Sequence, residues 1–179
     1  MNAFVSMKEK DFKRELQGEK VLQSKEEKSN CLEVIFEVIR IKQVVQEVPT
    51  PFAIGAIRSP GDAANVAGTL IGDEDREVFL VLCLNTKNQV TAAHRCHVGS
   101  INASIVHARE VFKTAILNNA ASIVLSHQHP SGDPTPSMED LNVTQRLVDA
   151  GRLLGIDVLD HVIVSQSGDH YSLKEKGHL

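Results

Sequence analysis

Ala121-Ser122-Ile123-Val124-Leu125, followed at once by Ser126-His127-Gln128-His129-Pro130-Ser131-Gly132-Asp133-Pro134-Thr135-Pro136-Ser137-Met138-Glu139-Asp140, decides how the rest of this chain is read. The apolar run at 121–125 has the length and composition of a buried strand. Leu141 to Leu154 repeats its apolar positions at helical spacing. Between strand and helix lies a loop punctuated by three prolines and a glycine. Alternate residues of an extended chain project to one side, so His127 and His129 face the same point, expected just past the strand end. Asp140 follows eleven residues after His129, in the first turn of the predicted helix, and the loop is long enough to bring it back. Two imidazoles and one carboxylate suit Zn²⁺, with a fourth position left for water, which is the catalytic rather than the structural type of site. A second reading of the same letters stands beside this one. Ser137 is a good N-cap and an acid three residues on suits the helix dipole, so Ser137 and Asp140 could serve the helix alone.

The bulk properties narrow the class. At 179 residues with 42% hydrophobic content, one domain with a sizeable core is expected. Aromatics are only 4% and Trp is absent, so that core is built from aliphatic side chains. No apolar run approaches the ~20 residues of a membrane span, and no secretory leader pattern opens the chain. The expected compartment is the cytoplasm. Cys31, Cys83 and Cys96 are an odd number with no C-x-x-C, which disfavours a disulfide framework and a thiolate metal site. A net charge of −4 and a pI of about 6.0 argue against a protein whose main task is gripping phosphate backbones.

Taken in order, residues 1–30 hold seven basic and six acidic residues with sparse apolar ones, and read as an N-terminal arm, with a short helix conceivable at Phe12 and Leu16. Residues 31–179 read as one domain. Leu32 to Val48 alternates with β-branched residues and is expected to be a long edge strand, ended by Pro49 and Pro51. Ser59-Pro60 starts a helix running to about Ile71. Glu77 to Asn85 is a nearly all-apolar central strand, and Gln89 to Val98 its hairpin partner. A helix over Ile105–Asn119, the strand at 121–126, the helix Ser137–Leu154 stopped by Gly155, a strand at Asp157–Ser165 and a short strand at His170–Leu173 complete the pattern. This is an α/β chain with a mixed β-sheet flanked by helices.

His127-x-His129-Pro130-x-Gly132 followed by Pro136-Ser137-x-x-Asp140 resembles the JAMM motif of MPN-domain metalloproteases, and the surroundings resemble the RadC family in particular. The matching residues include Val98-Gly99-Ser100-Ile101-Asn102-Ala103-Ser104, Arg109-Glu110-Val111-Phe112, Gly151-Arg152-Leu153-Leu154-Gly155-Ile156 and Leu159-Asp160-His161-Val162-Ile163. The likeness runs from about Ser59 to the C-terminus and departs at Gln128, where the family usually has Asn. Gln128 lies between the two histidines and should point away from them, so little consequence is expected. The resemblance implies an MPN/JAMM sheet, related in shape to cytidine deaminases, and a single Zn²⁺ on His127, His129 and Asp140. Longer RadC proteins carry an N-terminal helix-hairpin-helix region that has no counterpart in these residues.

A zinc hydrolase also needs a base. Asp73, Glu74, Asp75, Glu77, Glu110 and Glu139 are the candidates from the residues alone. The family position corresponds to Glu77, and the resemblance gives Ser137 the part of a donor to the developing oxyanion. The implied reaction is hydrolysis of a peptide or isopeptide bond in an unspecified peptide or protein substrate. The rival reading is a non-catalytic accessory or binding module in DNA processing that retains the metal site, since the family is named for a supposed DNA-repair role. The charge of the chain does not favour DNA as a partner. A nucleobase deaminase is excluded, because it needs H-x-E with P-C-x-x-C and residue 129 is His. His161 reads as a hydrogen-bonded packing residue on its strand, or as one that supports the site from behind its ligands, and His94, His97, His107, His170 and His178 as lesser candidates. Nothing in the pattern specifies an oligomeric state.

Overall fold

The computed structural model describes residues 37, 38, 41, 43–47, 55–99 and 106–179. The chain divides into two units, residues 1–42 and 43–179, and the fold set out below is that of the second. The arm expected at 1–30, most of the strand expected at 32–48 and the stretch Ser100 to Ser104 lie outside the described residues. Where residues of the expected edge strand are described, the strand is absent. Positions 43–47 form no strand, and Val44 and Val45 are exposed. The alternation there has no buried face, and a strand is held by burial and pairing rather than by β-branched residues alone.

The elements run α1 (Pro60–Ile71), β1 (Val78–Leu84), β2 (Val90–Val98), α2 (Ala108–Leu117), β3 (Ser122–Gln128), α3 (Met138–Leu154), β4 (Asp157–Val164) and β5 (His170–Ser172). They form one five-stranded sheet in the order β2-β1-β3-β4-β5. β1 pairs antiparallel with both β2 and β3, β3 pairs parallel with β4 across the α3 crossover, and β4 pairs antiparallel with β5. The expected mixed sheet flanked by helices is the observed architecture.

The sequence pattern of each strand follows from its place. β1 and β3 are central and covered on both faces, so every residue of each is buried. β2 alternates half-buried and exposed residues, as a strand with one wet face does. α1 packs on one face, against Leu80, Leu82, Val124 and Val162. On the other face Val111, Phe112 and Ala115 of α2 and Val143 and Leu147 of α3 meet Phe79, Val81, Cys83, Ile123 and Leu125. Cys83 is one of these core residues, and burial pushes its thiol up to about 11. α1 begins in a full capping box, with the Ser59 hydroxyl accepting from Asp62 N and the Asp62 carboxylate from Ser59 N, and Pro60 at its first position.

β3 is longer than its apolar run. The extended chain continues through Ser126, His127 and Gln128 because β1 and β4 flank it and supply ladder partners: Phe79 and Ile163 lie opposite His127. His127 is therefore part of the sheet rather than of the loop beyond it, and only His129 lies past the strand end.

α3 ends where the chain must turn back to β4. Gly155 adopts the left-handed conformation at φ 70°, and Ile156 N donates to Gly151 O at 3.0 Å. A Cβ on Gly151 would lie 2.5 Å from Ile156 O and 3.2 Å from the Phe112 ring. Backbone and a core ring cannot both retreat, so Gly151→Ala is expected to cost about 1–3 kcal/mol of unfolding free energy. Urea denaturation of wild type and variant at equal m-value reads the difference, and an unchanged midpoint would refute the close packing of this turn.

Candidate metal centre

Three donors expected from the sequence meet at the end of β3. His127 Nε2 lies 3.0 Å from His129 Nε2 and 3.3 Å from Asp140 Oδ1, and His129 Nε2 lies 3.7 Å from Asp140 Oδ2. Among the described residues, these three are the one group of His, Cys, Asp and Glu ligand atoms that all fall within 4.8 Å of one another. Four ligands at the Zn–N and Zn–O distances of about 2.0–2.1 Å in a tetrahedron are themselves about 3.3 Å apart. The observed separations bracket that edge length, so the donor set fits a cation of zinc's size and geometry.

Each donor is placed by a different part of the chain. His127 is held in the β3 ladder, completely buried, with its ring stacked on Phe79 at a centroid distance of 6.3 Å. His129 is fixed by its backbone, which donates to Val164 O at 3.0 Å, and by its ring, whose Nδ1 donates to Asp133 O at 2.7 Å. A carbonyl only accepts, so the neutral His129 ring keeps its proton on Nδ1 and turns a bare Nε2 toward the other donors. The loop from Pro130 to Pro136 makes its reversal with Gly132 at φ 85° and with the Asp133 carboxylate accepting from Thr135 N at 2.9 Å. That reversal returns the chain to Ser137, the N-cap of α3, and so to Asp140.

The capping reading of Ser137 and Asp140 is met, in a geometry that leaves room for the metal reading as well. Asp140 N donates to Ser137 Oγ at 3.2 Å and Ser137 N to Asp140 Oδ2 at 2.8 Å, a complete capping box. The Ser137 hydroxyl itself donates to Asp140 Oδ2 at 2.6 Å. The box fixes Oδ2 and leaves Oδ1 facing His127.

Burial would push the Asp140 carboxyl up. Its interactions with the His129 and His127 rings and the bonds from Ser137 outweigh it and hold the group well below the usual carboxylate range. Burial, with His161 and His129 alongside, keeps His127 neutral far below its ordinary value. His129 moves the other way, raised chiefly by the Asp140 carboxylate 3.7 Å away and also by the nearby charge of Glu77.

Of the six candidate bases, Glu77 is the one whose charge bears on the site histidines. It is half-buried at the mouth of β1, and its carbonyl accepts from Gly99 N at 2.8 Å. Asp73, Asp75 and Glu139 are exposed, Glu74 pairs with Arg95, and Glu110 pairs with Lys113 at 3.0 Å on α2.

Gln128 points away from the histidines, as expected, but not idly. Fully buried, its Oε1 accepts from Val78 N at 2.8 Å, and its Nε2 donates to Arg76 O and, at 3.4 Å, to Glu74 O. It clamps both sides of Glu77 to β3. Thr144 was missed from sequence, whereas His161, expected as a hydrogen-bonded residue behind the site, is found there. Thr144 Oγ1 is 2.5 Å from His161 Nδ1, and His161 Nε2 is 2.8 Å from His127 Nδ1. Of the remaining histidines, His107 is the N-cap of α2 without a side-chain cap bond, His97 is half-buried, and His178 contacts the Tyr171 hydroxyl at 3.1 Å.

Comparison with known proteins agrees with this geometry. The family model described as a RadC-like JAB domain matches residues 57–178. The chain belongs to the RadC family. It is 43% identical over 150 residues to a UPF0758 protein of Methanosarcina barkeri, covering 84% of this chain and 63% of that relative. It is 53% identical over 121 residues to a UPF0758 protein of Desulforamulus reducens, covering 68% and 53%. A UPF0758 protein of Bacillus mycoides is 54% identical over 126 residues, covering 69% and 55%. The RadC-like chain thus spans between half and two thirds of the length of these relatives. Among its described residues, no helix is long and apolar enough to cross a membrane.

Two outcomes follow from the centre. Zinc binding at His129 must displace the proton that Asp140 favours there, whereas His127 is already neutral and Asp140 already ionised. Zinc affinity is therefore expected to rise with pH through and above 6.5, the ordinary value that His129 exceeds, and then to level off. Calorimetric titration in two buffers of different ionisation heat counts the protons, and no release at pH 6.5 would remove His129 from the ligand set. Replacing Gln128 by Leu strands the Val78 N–H and is expected to cost about 1–3 kcal/mol of stability, read by chemical denaturation; no loss would show the clamp to be idle.

Proposed function

We propose that this RadC chain is a zinc-dependent hydrolase of peptide or isopeptide amide bonds. The observation that carries the reading is the convergence of His127, His129 and Asp140 at ligand-to-ligand spacing beside Glu77. The JAB-domain match supports a hydrolytic, metal-dependent class.

His127 Nε2, His129 Nε2 and an Asp140 oxygen are the groups that would hold the ion, leaving the fourth direction open. A bound Zn²⁺ supplies Lewis acidity, bringing the pKa of water toward neutrality and polarising a carbonyl oxygen. Glu77 takes the proton of the attacking water and returns it to the leaving amine. Its half-buried position at the mouth of β1 leaves one side open to the water it would serve. Ser137 serves first as the holder of Asp140 Oδ2. It acts as oxyanion donor by turning its single proton from Oδ2 to the substrate oxygen as charge develops there. The substrate is a peptide or protein segment presented at the end of β3.

The test is Glu77→Gln, assayed on a panel of peptide and isopeptide substrates with zinc measured by elemental analysis. Full zinc occupancy with turnover reduced about 10²–10⁴-fold is the expected result, the usual share of a general base. Full turnover would remove Glu77 from the scheme, and equal zinc in wild type and His127→Ala would remove the metal site. A duplex-binding role predicts DNA affinity that falls steeply with salt; a net charge of −4 leads us to expect no such slope.

A further inference from the structure

We propose that Thr144 and His161 are positioning residues that lock the proton of His127 onto Nδ1 and so keep its Nε2 bare for the cation, an inference that rests on the zinc reading for its purpose but not for its geometry.

The direction of each hydrogen bond follows from counting protons. The Thr144 hydroxyl owns one. It lies 2.6 Å from Asp140 O and 2.5 Å from His161 Nδ1. A carbonyl oxygen has no proton to give, and two oxygens at 2.6 Å without a proton between them repel, so Thr144 donates to Asp140 O. His161 Nδ1 then has to supply the proton of the second contact. His161 is fully buried and its other nitrogen faces another imidazole, so the ring is neutral and Nε2 is bare. That bare nitrogen accepts at 2.8 Å, which places a proton on His127 Nδ1. His127, likewise buried and neutral, is left with a lone pair on Nε2, the atom 3.3 Å from Asp140 Oδ1. The chain of bonds begins on the backbone of Asp140 and ends on the ligand atom facing the side chain of Asp140. It ties two of the three donors into one closed loop.

The sheet is built to bring His161 there. β3 and β4 pair in step from Ser122 opposite Asp157 to Ile123 opposite Val158, and then skip Leu159, so that Val124 faces Asp160 and Leu125 faces His161. Without this one-residue bulge His161 would stand opposite Ser126 and point to the α1 face. The bulge is held by the buried Asp160 carboxylate, which accepts from His161 N at 2.7 Å, Ser172 Oγ at 2.6 Å and Lys174 N at 3.1 Å. Phe79 closes the pocket with its ring edge-on to His161 at 5.4 Å.

The experiment is long-range ¹H–¹⁵N correlation NMR of the full ¹⁵N-labelled chain, metal-free and zinc-loaded, above pH 7, with zinc affinity measured in parallel by competition with a chromophoric chelator. His161 and His127 are both expected as Nδ1–H tautomers in both states. Thr144→Val is expected to scramble the His161 tautomer and to weaken zinc binding about 10–100-fold, the usual effect of losing a partner behind a metal ligand, and Thr144→Ser to restore both. A His161 proton on Nε2 in wild type overturns the relay whatever zinc does. Equal zinc affinity in wild type and a folded Thr144→Val overturns it too. Wild type that takes up no zinc while His161 keeps the Nδ1–H form would overturn the hydrolase reading and leave the relay standing.

Discussion

Three electron-pair donors are gathered at one end of β3, two of them buried and the third largely so. Mutual repulsion of two imidazole lone pairs and a carboxylate in so dry a place is costly unless a positive charge lies among them. A proton on His129, which Asp140 favours, supplies such a charge when it is present; a cation of higher charge would supply more. The rest of the fold can be read as the means of enforcing this convergence. A central strand carries His127, a proline-rich reversal carries His129 past the strand end, and a capped helix carries Asp140 back.

The capping box shows why the competing readings of Ser137 and Asp140 were never alternatives. A helix N-terminus needs acceptors for its free N–H groups, and a metal needs a carboxylate with one oxygen left over. Asp140 has two oxygens. Oδ2 satisfies Ser137 N and Oγ, and Oδ1 remains for the site. The same bonds that start α3 therefore set the orientation of the carboxylate that would serve as a ligand, at no extra conformational cost.

The ligand types, the alternation of the two histidines and the order of strands and helices were legible because each depends on residues near in sequence. The all-apolar β1 and β3 announced a sheet covered on both faces. What stayed hidden depends on register between distant strands. Nothing local in Leu159-Asp160 declares a bulge, yet the bulge decides which face His161 takes. Gln128 looked inconsequential because its partners lie fifty residues away, at Arg76 and Val78. Glu77 was singled out among six acids by resemblance, and its nearness to His129 follows from β1 pairing antiparallel with β3, which no spacing in the chain reveals. The valines at 44 and 45 misled in the opposite way: their pattern is a strand's, but they are exposed.

Placing one ligand inside the sheet and the other two on loop and helix divides the labour between rigidity and access. His127 is locked by ladder bonds on both sides and by the Phe79 ring, so the position of a bound ion would be set by the central strand of the sheet. His129 and Ser137 keep part of their surface in solvent, so a cation held by the three donors would be reachable from that side. Glu77 approaches from the neighbouring strand, clamped on both sides by Gln128 of the very strand that carries the histidines. Glu77 and the three donors thus share one rigid reference. A shift of β3 would carry the donors and Glu77 together, preserving their relative geometry, and that is the property that the proposed reaction, sensitive to errors of about 1 Å, would demand of its scaffold.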